Sequence, residues 1–207
     1  MVDDDWAYRD FADRLGQMLS FSDSIILSDA HKAKPESGFQ RHTESAADIK
    51  QEVLRTKATL VNSVIQSCSS NDGKPRIRWP MVDTESVSDF EPFLRFYSAH
   101  QREQDLAIRV IRSGARDALT ACSPALKKLA ILDQALDDTL WEQMRRFYSV
   151  IPRLLERRFN QLRDQQPLWL NQFRKDIQAL LLAELDLRLQ PVLGLVEALE
   201  KEVIGNP

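Results

Sequence analysis

Cysteine, histidine and glycine are scarce in this 207-residue sequence, which has two, three and six of them respectively. Two isolated cysteines, Cys68 and Cys122, exclude a disulfide framework, and we expect both to be small buried residues. Neither has further ligands at the spacing of a zinc site, so no metal or other cofactor is predicted. No run of about 20 apolar residues occurs, and no membrane-spanning helix is predicted.

Catalytic motifs are also missing, because the sequence has no HExxH, GxSxG, Walker or GxGxxG pattern. His100 is followed one helical turn later by Glu103 and Gln104, but such a pair is only half of a metal site. We interpret these side chains as an exposed polar face of a helix. The sequence therefore predicts that the protein is not an enzyme.

The net charge of −3 gives no general bias toward nucleic acid, although the charges are unevenly distributed. Residues 1–30 have seven acidic and two basic side chains, whereas residues 141–175 have eight basic and three acidic ones. The N-terminus begins Met-Val-Asp-Asp-Asp, which does not resemble a basic and apolar secretory signal. We therefore expect a cytoplasmic protein with one acidic and one basic region.

Strong helix formers at helical spacing occupy most of the chain and predict an all-α fold. Residues 1–68 are predicted to form N-terminal helices, and residues 69–88, with Asn-Asp-Gly and two prolines, a flexible loop. Residues 89–207 are predicted to form a long helical hairpin followed by Leu-rich helices. Helices of this length favour an elongated antiparallel bundle, which we expect to be a single domain.

Several helix boundaries follow from local signals. Asp89 is predicted to cap one long helix, and Ser123 and Pro124 are predicted to end it and start the next. The second of these has a heptad-like apolar repeat that is typical of a coiled coil, with a kink predicted at Pro152. The last helix is predicted to break at Pro191. Earlier in the chain, a helix from residue 43 or 45 has apolar residues at helical spacing, namely Ile49, Val53, Leu60, Val61, Val64, Ile65 and Cys68.

The basic region contains arginines interleaved with aromatic residues, a composition typical of surfaces that bind nucleic acid or other polyanions. The candidate polyanion residues are Arg146, Arg153, Arg157 and Arg158. At helical spacing, Arg146, Arg153 and Arg157 form one stripe along the helix. Met144, Phe147, Ile151 and Leu155 lie on the opposite side, so the aromatic residues are interpreted mostly as core. The stripe is then a basic solvated face, and polyanion binding is the alternative function.

The last helix is apolar around much of its circumference, and a helix of this kind is buried by its own chain or by another one. Leu181, Leu185 and Leu189 are the candidate face for a protein partner or for self-association. A fully intramolecular core is the competing interpretation, and the sequence does not decide between them.

Two segments, FADRLGQMLSFSDSIILSDAH and LLLAELDLRLQPVLGLVEALE, resemble an uncharacterised proteobacterial all-helical family known as a domain of unknown function. The resemblance covers nearly the whole chain and implies no catalytic residues. Genes of this family lie beside those of MotA-like and OmpA-like proteins, which implies an accessory subunit of an envelope complex. We therefore expect a non-catalytic helical adaptor or assembly subunit of a bacterial protein complex, with nucleic acid as the less favoured partner.

Overall fold

The computed structural model describes residues 21–32, 46–69, 75–82, 89–165 and 169–205. Within these ranges the chain forms five helices and no strand, which confirms the predicted all-α helical bundle. The helices are α1 (Phe21–Lys32), α2 (Ala46–Cys68), α3 (Glu91–Cys122), α4 (Pro124–Gln165) and α5 (Trp169–Gly205). The parts of the predicted N-terminal helices at residues 1–20 and 33–45 lie outside the described residues.

Local signals set the ends of the long helices as predicted. Asp89 caps α3, because its Oδ1 accepts a hydrogen bond of 2.9 Å from the backbone N–H of Glu91. Ser123 is the only residue between α3 and α4, and its Oγ accepts a hydrogen bond of 3.2 Å from the N–H of Leu126. Pro124 then occupies the first helical position, where a missing N–H is harmless.

The predicted break at Pro191 is wrong, because α5 continues through this residue to Gly205. A proline inside a helix leaves the carbonyl four residues earlier without its hydrogen bond. Pro191 and Leu187 both lie on the exposed side of α5, where water can solvate the freed carbonyl. The helix α4 likewise continues through Pro152.

The chain divides into two compact units, and each is discontinuous in sequence. One contains Met1–Thr43 and Leu119–Ser149, and the other contains Glu44–Ala118 and Val150–Pro207. The predicted ranges 1–68, 69–88 and 89–207 were continuous. In the first unit, the described residues are α1 and the helical segments on either side of Ser123. The second unit contains the sites considered below.

In the second unit, α2 packs antiparallel against α5. Lys50 Nζ lies 2.8 Å from Glu200 Oε1, and Lys57 Nζ lies 2.8 Å from Asp186 Oδ1. Residue numbers therefore rise along α2 in the direction in which they fall along α5. Between these helices lie buried apolar residues of α2, which we call the inner stripe: Ile49, Val53, Leu60 and Val64. The inner stripe confirms most of the apolar positions predicted for this helix.

An aromatic cluster joins α3, α4 and α5 in the same unit. The ring of Phe93, near the start of α3, lies 5.5 Å from that of Phe159, near the end of α4. Phe173 of α5 lies 5.3 Å from Phe93 and 5.5 Å from Phe159. The start of α3 and the end of α4 therefore meet in this cluster, together with the first turns of α5.

Residues 75–82, which we call the strap, have no regular secondary structure but pack on this core. Ile77, Trp79 and Val82 contact the buried cluster, and the Trp79 ring lies 5.0 Å from Phe96. The guanidinium of Arg174 lies 5.1 Å from the Trp79 ring centre. The irregular conformation was predicted for this segment, but its attachment to the core through a tryptophan was not.

Candidate functional site

The polar face of α3 is buried, which corrects the prediction of an exposed polar face around His100. Tyr97, His100, Gln101 and Gln104 follow each other at helical spacing and lie on one side of α3. His100 and Gln104 are almost inaccessible to solvent, whereas Gln101 and Glu103 remain partly exposed. This face of α3 is covered because it contacts both α2 and α5.

His100 contacts α2 through Ser67, with 2.8 Å between His100 Nε2 and Ser67 Oγ. The other ring nitrogen, Nδ1, lies 3.9 Å from Glu103 Oε2. Glu103 in turn accepts a hydrogen bond of 2.8 Å from Ser63 Oγ of α2. The Ser–His–Glu order is the one found in hydrolases, but His100 Nδ1 is too far from Glu103 for a hydrogen bond.

The cluster is buried and hydrogen-bonded within the protein. Ser67 Oγ also contacts the backbone carbonyl of Val64, at 2.9 Å. Ser67 and His100 are both inaccessible to solvent, so the hydroxyl does not face a site that a substrate could enter. Burial lowers the pKa of His100 to about 4, so the imidazole is neutral at pH 7.

A second buried cluster joins α3 to α5 through Glu184. The Tyr97 hydroxyl donates to Glu184 Oε1 at 2.5 Å, and Gln101 Nε2 donates to Glu184 Oε2 at 3.0 Å. Arg188 Nη2 lies 3.7 Å from the same carboxylate. Burial, together with the neighbouring Glu184 carboxylate, raises the pKa of Tyr97 well above its usual range. The phenol therefore stays protonated and remains a donor to Glu184.

The three leucines assigned to a partner face are core residues in this structure. Leu181, Leu185 and Leu189 are completely buried within the chain. They occupy the side of α5 that packs inside the second unit, so they do not form a surface to which a partner could bind. Their burial agrees with the competing interpretation, an intramolecular core.

The four candidate polyanion residues differ in their environments. Arg146 belongs to the first unit and lies 3.6 Å from Glu142. In the second unit, Arg158 is half-buried and its Nε lies 2.7 Å from Asp176 Oδ2. Arg153 and Arg157 are exposed, one helical turn apart on α4. Only this last pair presents two adjacent solvent-facing cations.

Exposed apolar residues accompany these arginines. Phe159, Trp169 and Phe173 are buried, as the interpretation of the aromatic residues as core predicts, whereas Phe147, in the first unit, is exposed and departs from it. In the second unit, Val150 and Leu154 are also exposed, at the same i, i+4 spacing as the arginine pair. The exposed side of α4 is therefore mixed apolar and basic rather than uniformly charged.

The helix α2 has a second apolar stripe that faces solvent, and we call it the outer stripe. It consists of Leu54, Ala58, Val61 and Ile65, at spacings of four, three and four. The side chains of Leu54 and Ile65 are 51% and 39% exposed, and Val61 is half-buried. The prediction for this helix included Val61 and Ile65 among the apolar positions but overlooked Leu54 and the separation into two stripes.

The described residues contain neither a metal site nor a membrane-spanning helix. In those ranges, no group of three His, Cys, Asp or Glu side chains could hold a metal ion. No helix in the same ranges is long and apolar enough to cross a membrane. The candidate site that remains is the outer stripe, beside the two buried clusters that fix the helices around it.

These features define an all-α helical bundle protein whose second unit is held together by buried polar clusters. The family described as "Protein of unknown function (DUF3348)" matches residues 2–201. The chain therefore belongs to this family, which confirms the resemblance to an uncharacterised domain family. No curated protein matches the sequence. No solved structure matches it either.

Proposed function

We propose that this protein is a non-catalytic helical adaptor or assembly subunit of a bacterial protein complex, and that it binds a protein partner through the outer stripe of α2. The observation that carries the proposal is the exposure of Leu54 and Ile65 on a helix whose inner stripe is already buried. Large apolar side chains exposed at regular spacing are typical of surfaces that bind other proteins.

The spacing of the outer stripe fits a helix as the partner. Apolar positions separated alternately by three and four residues form a seam along one side of a helix, into which another helix can pack. Ala58 lies in the middle of the seam, where its small side chain allows a close approach. The stripe covers residues 54–65, three helical turns, which resembles the anchor pattern of helices bound in grooves.

The buried clusters support a non-catalytic function. His100 and Ser67 are inaccessible, and both hydrogen-bond within the protein. Glu184 is buried and contacts Tyr97 and Gln101. A catalytic group has to reach a substrate, and these side chains instead hold α3 against α2 and α5. The resemblance to a family whose genes lie beside those of envelope proteins supports an envelope complex as the setting.

The proposal can be tested by affinity co-purification of the tagged full-length protein from its native host. We expect wild-type protein to retain a specific partner, and the double variant Leu54→Glu with Ile65→Glu to lose it. Both side chains are exposed, so the variant should keep the wild-type circular dichroism spectrum. The interaction should persist in high salt, because apolar contacts are not screened.

The matched control is a pair of exposed apolar residues on another helix. Leu106 and Val110 of α3 are 68% and 60% exposed and one helical turn apart. Replacing both with glutamate adds the same charge at a different surface, and we expect the partner to remain bound. Loss of the partner in both double variants, or in neither, would contradict a role for the outer stripe.

A second candidate function, polyanion binding, is favoured by the exposed pair Arg153 and Arg157 on α4. This function predicts that a labelled DNA duplex of 20 base pairs binds to the protein. The affinity should fall steeply as the salt concentration rises, because bound phosphates release counterions. The double variant Arg153→Glu with Arg157→Glu should abolish this binding and leave partner co-purification unchanged. Duplex binding that survives the double substitution would exclude this surface.

A further inference from the structure

Beside the strap, the second unit has an open groove of about 420 Å³. The strap contributes Ile77, Arg78 and Pro80, and α3 contributes Pro92, Arg95, Phe96 and Ala99. The residues of α3 lie on one face, since they are spaced by three, one and three positions. This face is distinct from the outer stripe of α2 and from the exposed arginines of α4.

The conformation of the strap explains the composition of the groove. Exposure alternates along the strap, because Arg76 and Arg78 face solvent while Ile77 and Trp79 pack on the core. The groove therefore has an apolar floor with the guanidinium of Arg78 at one edge. Arg95 supplies a second guanidinium from α3.

The charges at the edge of the groove can be engaged by a ligand. Arg95 is 73% exposed, and its Nε lies 3.2 Å from Glu91 Oε1. An exposed ion pair of this kind contributes only about 0–1 kcal/mol, so a carboxylate from a ligand can replace it. The described residues that line the groove include no acidic side chain. The groove is thus complementary to a ligand that combines apolar and acidic groups.

From this complementarity we infer that the groove between the strap and α3 binds an acidic peptide segment of a partner protein. An apolar side chain of the peptide would occupy the floor over Phe96 and Ala99, and flanking carboxylates would pair with Arg78 and Arg95. Bidentate pairing with carboxylates is the recognition for which the planar guanidinium is suited.

A single-stranded nucleic acid fits the groove less well than a peptide does. Proteins bind single strands by stacking bases on exposed aromatic rings. Here Phe96 is buried, and the Trp79 ring is enclosed by Phe93, Phe96 and Arg174. No aromatic side chain lining the described groove is therefore exposed enough to serve as a stacking platform.

The test is a selection of random dodecapeptides displayed on phage against the full-length protein. Peptides that also bind the variant Arg78→Glu with Arg95→Glu are removed by counter-selection. We expect the enriched sequences to combine Asp or Glu with large apolar residues. Absence of enrichment, or enrichment of sequences without acidic residues, would overturn the inference.

The binding of a labelled synthetic peptide from the selection is then measured by fluorescence anisotropy. Variants of the protein show how much the charged edge and the apolar floor of the groove each contribute to the affinity. We expect Arg78→Glu to weaken binding at least tenfold, and Ala99→Met to weaken it without any change of charge. The control Arg157→Glu on α4 should bind like wild type. Equal affinity for wild type and Arg78→Glu, or displacement of the peptide by a 12-nucleotide single-stranded DNA, would contradict an acidic-peptide groove.

Discussion

The helices α3 and α4 both have polar residues at helical spacing, but in opposite environments. On α3, Tyr97, His100 and Gln104 are buried and hydrogen-bonded to neighbouring helices. On α4, Arg153 and Arg157 face solvent. The spacing of polar residues therefore marks one side of a helix without telling whether another helix covers it.

The difference comes from the kind of polar group and from its partners. Tyr, His and Gln can be neutral, and each of those on α3 has a partner supplied by α2 or α5. Among the described residues, His100 Nδ1 and Gln104 Oε1 are the atoms of these three side chains that have no hydrogen-bond partner. Arginine stays charged, and burying it without a partner is strongly unfavourable. The buried face should accordingly be sensitive to substitution, and the exposed face tolerant.

The largest effect is expected for Glu184→Ala. This substitution leaves the buried Tyr97 hydroxyl and the Gln101 amide without their shared acceptor and removes the carboxylate that forms an ion pair with Arg188. Removing one member of a buried charged cluster destabilises a protein by about 3–5 kcal/mol. Urea unfolding followed by circular dichroism would measure the loss. A change below about 1 kcal/mol would show that the cluster is not buried as described.

The next effect is a pH dependence that originates from His100. Its pKa is about 4 in the folded protein and 6.5 in the unfolded chain, so the unfolded state binds the proton more readily. The contribution of His100 to the free energy of unfolding is therefore fully present above pH 6.5. It decreases as the pH drops toward 4, by about 3 kcal/mol in all.

The variant His100→Gln provides the control, because it has no proton to bind at this position. Urea unfolding of both proteins at pH 7 and pH 4 separates His100 from the many carboxylates that titrate in the same range. We expect the wild type to lose more stability than the variant. Equal losses in the two proteins would mean that His100 is exposed, as the sequence had suggested.

A smaller and opposite effect is expected for Gly194→Ala on the exposed side of α5. A Cβ at this position would meet no atom within 4 Å, and the backbone has no positive φ. Alanine in a helix interior is more favourable than glycine by about 0.5–1 kcal/mol. Thermal unfolding should show a higher midpoint. A lower midpoint would imply that another surface packs closely on this side of α5.

The smallest effects are expected for the exposed arginines of α4. Arg153→Glu and Arg157→Glu should each change stability by less than about 0.5 kcal/mol, as exposed substitutions usually do. Arg158→Glu should destabilise by roughly 1 kcal/mol, because it removes the ion pair with the half-buried Asp176. Urea unfolding would measure the loss of stability in each of the three variants. A larger loss for Arg153→Glu or Arg157→Glu than for Arg158→Glu would contradict the described surface.

The sequence was sufficient for the fold class and for several helix ends. Periodicity identified the inner stripe, and Asp89, Ser123 and Pro124 marked helix boundaries through local hydrogen bonds. Pro191 was misleading, because whether a proline breaks a helix depends on whether water can reach the freed carbonyl. That condition is set by packing and not by the local sequence.

The candidate site was harder to predict than the fold. Leu181, Leu185 and Leu189 could be assigned to a core or to a partner face with equal reason, since a leucine stripe is the same in both cases. The outer stripe of α2 could have been found from its own three-and-four spacing, starting at Leu54. Its exposure could not, because α2 has two apolar stripes and nothing local states which one meets α5.

The most direct test of the central claim is site-specific photo-crosslinking in the native host. A benzoyl-phenylalanine at Ala58, within the outer stripe, is compared with the same residue at Val110 of α3. The account predicts a discrete crosslinked protein for Ala58 that is absent for Val110 and disappears when Leu54 and Ile65 are replaced by glutamate. Crosslinking at Val110 alone, or at neither position, would contradict a partner-binding role for the outer stripe.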